Sequence, residues 1–169
     1  MIRTSPSVPA LATLALATFC SCKSAPDESR PAPASAPSAA RVAHVQLHDA
    51  PASGDVDALV REALARSSAA NRHLVVYVGA TWCEPCRRFH EAAGKGELDA
   101  TFPDLDMLVF DLDRDGERLA SAGYVSKYIP LFALPKADGT ASGKQVEGGI
   151  KGEGAVAYIT PKLQTLLEQ

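Results

Sequence analysis

Two cysteines stand three positions apart in Trp82-Cys83-Glu84-Pro85-Cys86, where an apolar run ending at Val78 gives way to a predicted helix. Thiols at this spacing can close a disulfide and open it again. Cys83 falls at the helix N-terminus, where unpaired backbone N–H groups and the macrodipole favour a thiolate, the form that both attacks and leaves in exchange. Cys83 is therefore the expected nucleophile. Cys86, one turn further in, is the expected resolving thiol, and the turn makes its attack intramolecular. Pro85 is compatible with a first helical turn, because the N–H it lacks would have no partner there, and it stiffens the loop that holds the sulfurs together. Trp82 adds a flat apolar shoulder. A permanent structural disulfide is the competing reading, yet a loop this small constrains little of the unfolded chain.

A metal or cofactor reading fits these residues poorly. Cys83, Cys86 and His90 share one helical stretch, and His44, His48 or His73 could offer a fourth ligand, but a zinc site would normally add a second close pair. The other two cysteines, Cys20 and Cys22, lie near the N-terminus instead. His90 reads as a solvated helix residue. Arg87 stands where a c-type haem attachment would need histidine, so no metal and no cofactor is called for.

The elements that must position the pair follow from periodicity. A strand is predicted at 42–47, then a helix at 55–68 whose Val56, Leu59, Val60, Ala63 and Leu64 recur at helical spacing. The run 74–78 is continuously apolar, as expected of a central strand buried on both faces. The cysteine motif and a helix at 83–93 come next, then a short helical piece at 97–101, a strand at 107–111 and a helix at 115–122. Strands at 131–134 and 144–147 flank a turn at Lys136-Ala-Asp-Gly139, a hairpin signal. Thr160-Pro161 reads as the N-cap and first residue of a last helix carrying Leu163, Leu166 and Leu167. The predicted order is β-α-β-α-β-α-β-β-α.

The N-terminus reads as an export signal rather than part of the fold. Met1-Ile-Arg3 is a short positive region, and Val8 to Phe19 is a mostly apolar run too short to span a bilayer as a helix. Thr18-Phe19-Cys20-Ser21-Cys22 resembles the lipobox of bacterial lipoproteins, with Ser21 in the small position before Cys22. Cleavage before Cys20 would place the bulkier Phe19 there; a plain signal peptide cut further on, a retained anchor and a structural Cys20/Cys22 pair are the alternatives. The expected division is 1–21 signal peptide, 22–41 Ala/Pro/Ser-rich tether with Cys22 lipidated, and 42–169 folded domain. Extended at ~3.1 Å per residue, the tether could hold the domain on the order of 50 Å from a membrane. At 169 residues, 46% hydrophobic and 22% charged, with a net charge of −3, the chain fits one globular domain and lacks the basic face nucleic acid would require.

The element order and the motif together resemble the thioredoxin family. Trp82-Cys83-Glu84-Pro85-Cys86 is similar to its W-C-x-P-C motif, and Ile129-Pro130 to its cis-proline. The stretch from Asp111 to Pro130 aligns without a gap, and Tyr124 falls on a family tyrosine. The resemblance implies an α/β thioredoxin fold, a central mixed sheet flanked by helices. It also implies that Pro130 packs beside the disulfide and that the backbone of Ile129 pairs with an incoming peptide. Two positions depart from the family. Tyr77 stands where thioredoxins bury an aspartate, and Asp111 where its lysine partner would be, so a proton role could have moved to Asp111 unless that residue is a solvent-facing strand end. Glu84 is a second candidate for such a role.

Glu84 gives the C-E-P-C of the membrane-tethered reductases of cytochrome c maturation (TlpA/ResA type). Arg87-Arg88-Phe89-His90-Glu91 and the following glycines resemble the C-terminal thiol-reductase domain of the DsbD type. The implied function is a protein-disulfide oxidoreductase acting on thiol- or disulfide-containing exported proteins, as reductant or isomerase. It would work on the periplasmic side, anchored to a bacterial membrane by its lipid, with a membrane-bound electron donor or acceptor. A disulfide donor, or a non-catalytic binding module with a static disulfide, are the alternatives.

Overall fold

The computed structural model describes residues 43–169. The expected signal peptide and tether, with Cys22, lie outside the described residues. Nine elements run in the order β1(Gln46–Asp49), α1(Val56–Ala69), β2(His73–Gly79), α2(Glu84–Gly94), β3(Leu105–Asp111), α3(Leu112–Ser121), β4(Leu131–Pro135), β5(Ala141–Glu147) and α4(Ala155–Leu167). They build one sheet in the order β1-β3-β2-β4-β5, in which β1, β3 and β2 are parallel and β4 and β5 antiparallel. This connectivity and strand order are those of the thioredoxin fold.

Strand β2 is buried on both faces, which is why its sequence shows no alternation. Val75 and Tyr77 face a core completed by Phe89 of α2 and by Ile159, Leu163 and Leu166 of α4. Leu74, Val76 and Val78 face the opposite core, with Val56 and Val60 of α1 and Leu119 of α3. Helices α2 and α4 thus cover one side and α1 and α3 the other. The C-terminal ends of β2 and β3 lie side by side, Gly79 pairing with Asp111, and α2 starts just beyond them. Open α/β sheets place their working sites at that end of the strands.

Several boundaries differ from the sequence expectation. Strand β1 begins at Gln46 rather than 42, because its partners on β3 begin at Asp106, while the Val45 N–H donates to the Asp99 carboxylate at 2.9 Å. The expected helical piece at 97–101 is a set of turns, with Gly96 at φ +78 breaking the helical path. Helix α3 starts at Leu112 rather than 115, since the Asp111 carboxylate caps it by accepting from Asp113 N–H at 2.9 Å and Arg114 N–H at 3.1 Å. Thr160-Pro161 does not open the last helix. α4 starts at Ala155 and carries Pro161 within it. Ala155 and Ile159 are buried against the sheet, so tertiary packing extends the helix upstream. Pro161 falls on the exposed side of the helix, away from the buried Ala155, Ile159 and Leu163.

Asp115 has no exposure and ties α3 to the neighbouring loop. Its carboxylate accepts from Arg114 at 2.8 Å, from Arg118 at 2.7 Å and from the Asp111 N–H at 3.0 Å. The two guanidiniums in turn donate to the carbonyls of Ala50, Pro51 and Gly54. Burial acts to raise the Asp115 carboxyl, but the bonds from Arg114 and Arg118 outweigh it and hold the group below the ordinary range. A carboxyl depressed in the fold contributes stability above its unfolded value, about 3.9, and loses that contribution as pH falls through the folded value. Asp115→Ala is expected to destabilise the domain by on the order of 3 kcal/mol at pH 7. Denaturant unfolding of both proteins from pH 7 to pH 2 should show the gap closing below about pH 4.

Candidate functional site

Cys83 is the N-cap of α2. Its sulfur accepts the backbone N–H of Cys86 at 3.3 Å, and the two residues are joined as a disulfide with Cα atoms 5.2 Å apart. Both cysteines are buried, Cys83 slightly less so than Cys86, and they form a small apolar cluster with Ala80, backed by Leu112 and Ile129. Pro85 occupies the first turn of the helix. The peptide bond between Ile129 and Pro130 is cis. The structure therefore brings Cys83, Cys86, Pro85, Ile129 and Pro130 to one place at the end of β2.

Trp82 stands 65% exposed beside the cysteines. Its indole N–H donates to the Asp113 carboxylate at 2.9 Å, which fixes the ring's direction from helix α3. Tyr128, just before the cis bond, is also exposed, and its N–H and that of Lys127 converge on the Glu147 carboxylate of β5. Asp113 and Glu147 are supports that sequence reasoning missed. Their acceptor roles depend on approaches of 31 and about 20 residues along the chain and leave no local signal.

Tyr77 lies directly beneath the pair. Its buried hydroxyl donates to the Cys86 carbonyl at 3.0 Å, and burial pushes the phenol well above its ordinary value, so it stays neutral. Gly79 makes room for this contact, since a Cβ there would come within 3.0 Å of the Tyr77 oxygen and 3.3 Å of the Cys86 Cβ. Behind Cys86 opens a cavity of about 480 Å³ whose wall includes Tyr77, Thr81, His90, Asp111 and Arg114. Asp111 is at once the α3 cap and a wall of this cavity. His90 is exposed one turn after Cys86, on the same wall.

Glu84 turns away from the sulfurs to partners of its own. It pairs with Arg88 at 2.9 Å and accepts the Gly152 N–H at 3.2 Å, and these two bonds hold its carboxyl below the ordinary range. Such a group is a fixed anion near neutrality rather than one that trades protons. Among the described residues no three metal-binding side chains converge. The arrangement supplies what disulfide exchange requires: a sulfur at a helix N-terminus, a second sulfur within bonding reach, and exposed apolar surface around them.

No family model and no curated protein matches the chain. Among solved structures, it is similar to thioredoxin O1 from Arabidopsis thaliana in the oxidized state, at 23% identity over 75% of this chain and 96% of that one, with a TM-score of 0.44. It is likewise similar to Fasciola hepatica thioredoxin (22% identity, 74% and 97% covered, TM-score 0.45) and to a poplar thioredoxin h (22%, 75% and 98%, 0.46). The fold assignment rests on connectivity and strand order rather than on these likenesses.

Tyr77→Phe removes the hydroxyl and leaves the Cys86 carbonyl without that donor. It is expected to lower the unfolding free energy by about 1 kcal/mol in denaturant titration, with the slope of the transition unchanged.

Proposed function

We propose that this protein is an exported, lipid-tethered thiol–disulfide oxidoreductase that reduces or isomerises disulfides in exported proteins. The observation that carries the exchange chemistry is Cys83 as the N-cap of α2, with its sulfur accepting the Cys86 N–H beside a cis-proline. In the reducing direction, the Cys83 thiolate attacks one sulfur of a substrate disulfide and the other leaves as a thiolate. The Cys86 thiolate then attacks Cys83, releasing the second substrate thiol. Two electrons pass to the substrate and the Cys83–Cys86 disulfide is formed. Trp82 and Ile129 form the surface the substrate meets, and the buried cis-proline, Pro130, sets the backbone behind them. We assign to Asp111, which lines the same cavity as Cys86, the exchange of a proton with the resolving thiol.

Export and anchoring are supported by the apolar run after Arg3 and by Ser21-Cys22, and the Ala/Pro/Ser-rich tether suits a domain that reaches for partners from a membrane. A periplasm is kept oxidising, so a reductant there needs a supply of electrons, and a membrane-bound dithiol donor is the partner class that fits. Glu84 in the C-E-P-C spacing supports a reductase of the cytochrome c maturation type.

Cys83→Ser is expected to abolish exchange, whereas Cys86→Ser should accumulate a mixed disulfide with substrate, visible on non-reducing gels. Activity retained without Cys83 would overturn the assignment. A glutathione titration of the pair should give a potential nearer −270 mV than −120 mV for a reductant. For the anchor, Cys22→Ser should move the protein from the membrane fraction to the soluble one.

A further inference from the structure

We propose that Glu84 is a positioning residue that clamps the loop from Gly148 to Gly152 against the disulfide and so sets selectivity for protein substrates over small disulfides. The assignment rests on the exchange reading given above. Segment 148–152 bridges the two halves of the site. At one end the Gly148 N–H donates to the carbonyl of the cis-proline, Pro130, at 2.9 Å. At the other the Gly152 N–H donates to the Glu84 carboxylate at 3.2 Å, a contact between residues 68 positions apart.

Between these ends Gly149 lies on Pro85. A Cβ at Gly149 would come within 2.8 Å of the Pro85 Cβ, so the backbone approaches the motif as closely as only glycine permits. The residues held up by this seating are Ile150, 45% exposed, and Lys151. Ile150 joins Trp82 and Tyr128 as exposed large apolar side chains on the segments that carry the cysteine motif, the cis-proline and this loop.

Glu84 is the point at which the loop is held to α2. Arg88, one turn along the helix, orients the carboxylate at 2.9 Å, leaving it to accept the Gly152 N–H. A charged acceptor makes the stronger kind of hydrogen bond. Residues between two redox cysteines also influence sulfur chemistry directly, and that effect would act on every substrate alike. A clamp acts differently, because only a substrate with peptide flanking its disulfide reaches Ile150 and Lys151.

The test uses the full chain carrying Glu84→Ala, Glu84→Gln or Arg88→Ala, kept reduced by a dithiol whose direct reaction with each substrate is subtracted, with insulin as the protein disulfide and dithiobis(nitrobenzoate) as the small one. Glu84→Ala is expected to raise KM for insulin at least fivefold more than KM for the small disulfide. Glu84→Gln keeps an acceptor for Gly152 and should restore most of the difference, and Arg88→Ala, which removes the donor that orients the carboxylate, should fall between the wild type and Glu84→Ala. Amide hydrogen exchange at Gly152 should quicken in Glu84→Ala and not in Glu84→Gln. An equal change in KM for both substrates, or failure of glutamine to rescue, would overturn the clamp while the exchange reading stands. A wild-type chain inert toward both disulfides would overturn the exchange reading and this assignment with it.

Discussion

The Cys86 N–H donates to the sulfur of Cys83, and the rest of the site depends on the conditions that make this bond possible. It requires that Cys83 be the N-cap, with extended backbone, and that the helix begin at the next residue. That in turn requires β2 to end at Gly79 and the chain to turn within four residues, the Cys83 N–H donating to the Ala80 carbonyl at 3.1 Å on the way. Strand β2 can hold this end still because both its faces are buried, with Tyr77, Phe89 and Phe132 packed ring against ring on one of them. The cysteine pair thus sits where a strand buried on both faces hands over to a helix N-terminus.

The groups around the pair divide into those that hold backbone and those that present surface. Asp115 and its two arginines hold the start of α3 and the loop after β1, which fixes Asp113, which fixes Trp82. Glu147 holds the backbone leading into the cis-proline, and Glu84 holds the loop beyond β5. Each of these carboxylates accepts at least one backbone N–H or a side-chain donor, so each has a structural task in holding the site. Trp82, Tyr128 and Ile150 are left as the outward apolar surface.

What the sequence made legible was whatever depends on neighbours along the chain. The apolar run of β2, the spacing of α1 and the helix that opens at the cysteine motif after β2 were read correctly because burial on two faces, helical periodicity and turn chemistry are local signals. The start of α3 was missed because Asp111 is both the last strand residue and a helix cap, and its strand character hid the cap. Thr160-Pro161 was misread for the opposite reason. Its cap grammar is good, but Ile159 and Ala155 bury too much apolar surface to stay outside the helix. The bonds from Trp82 to Asp113 and from Gly152 to Glu84 were invisible, since each joins segments that only the closed sheet brings together.

The exchange of a buried aspartate for Tyr77 changes the electrostatic problem at the resolving sulfur. A carboxylate beneath Cys86 would oppose a second negative charge there and would itself need a proton at some step. Tyr77 does neither. Its hydroxyl already donates to the Cys86 carbonyl, and burial keeps it neutral, so it offers the sulfur a dipole and no base. The cavity that Cys86 helps to line carries Asp111, His90 and Arg114 on its wall. The buried carboxylate that the family pattern sets beneath the second cysteine is thus replaced in this chain by a phenol that stays neutral, and desolvating a second anion beside the sulfur is no longer part of the problem.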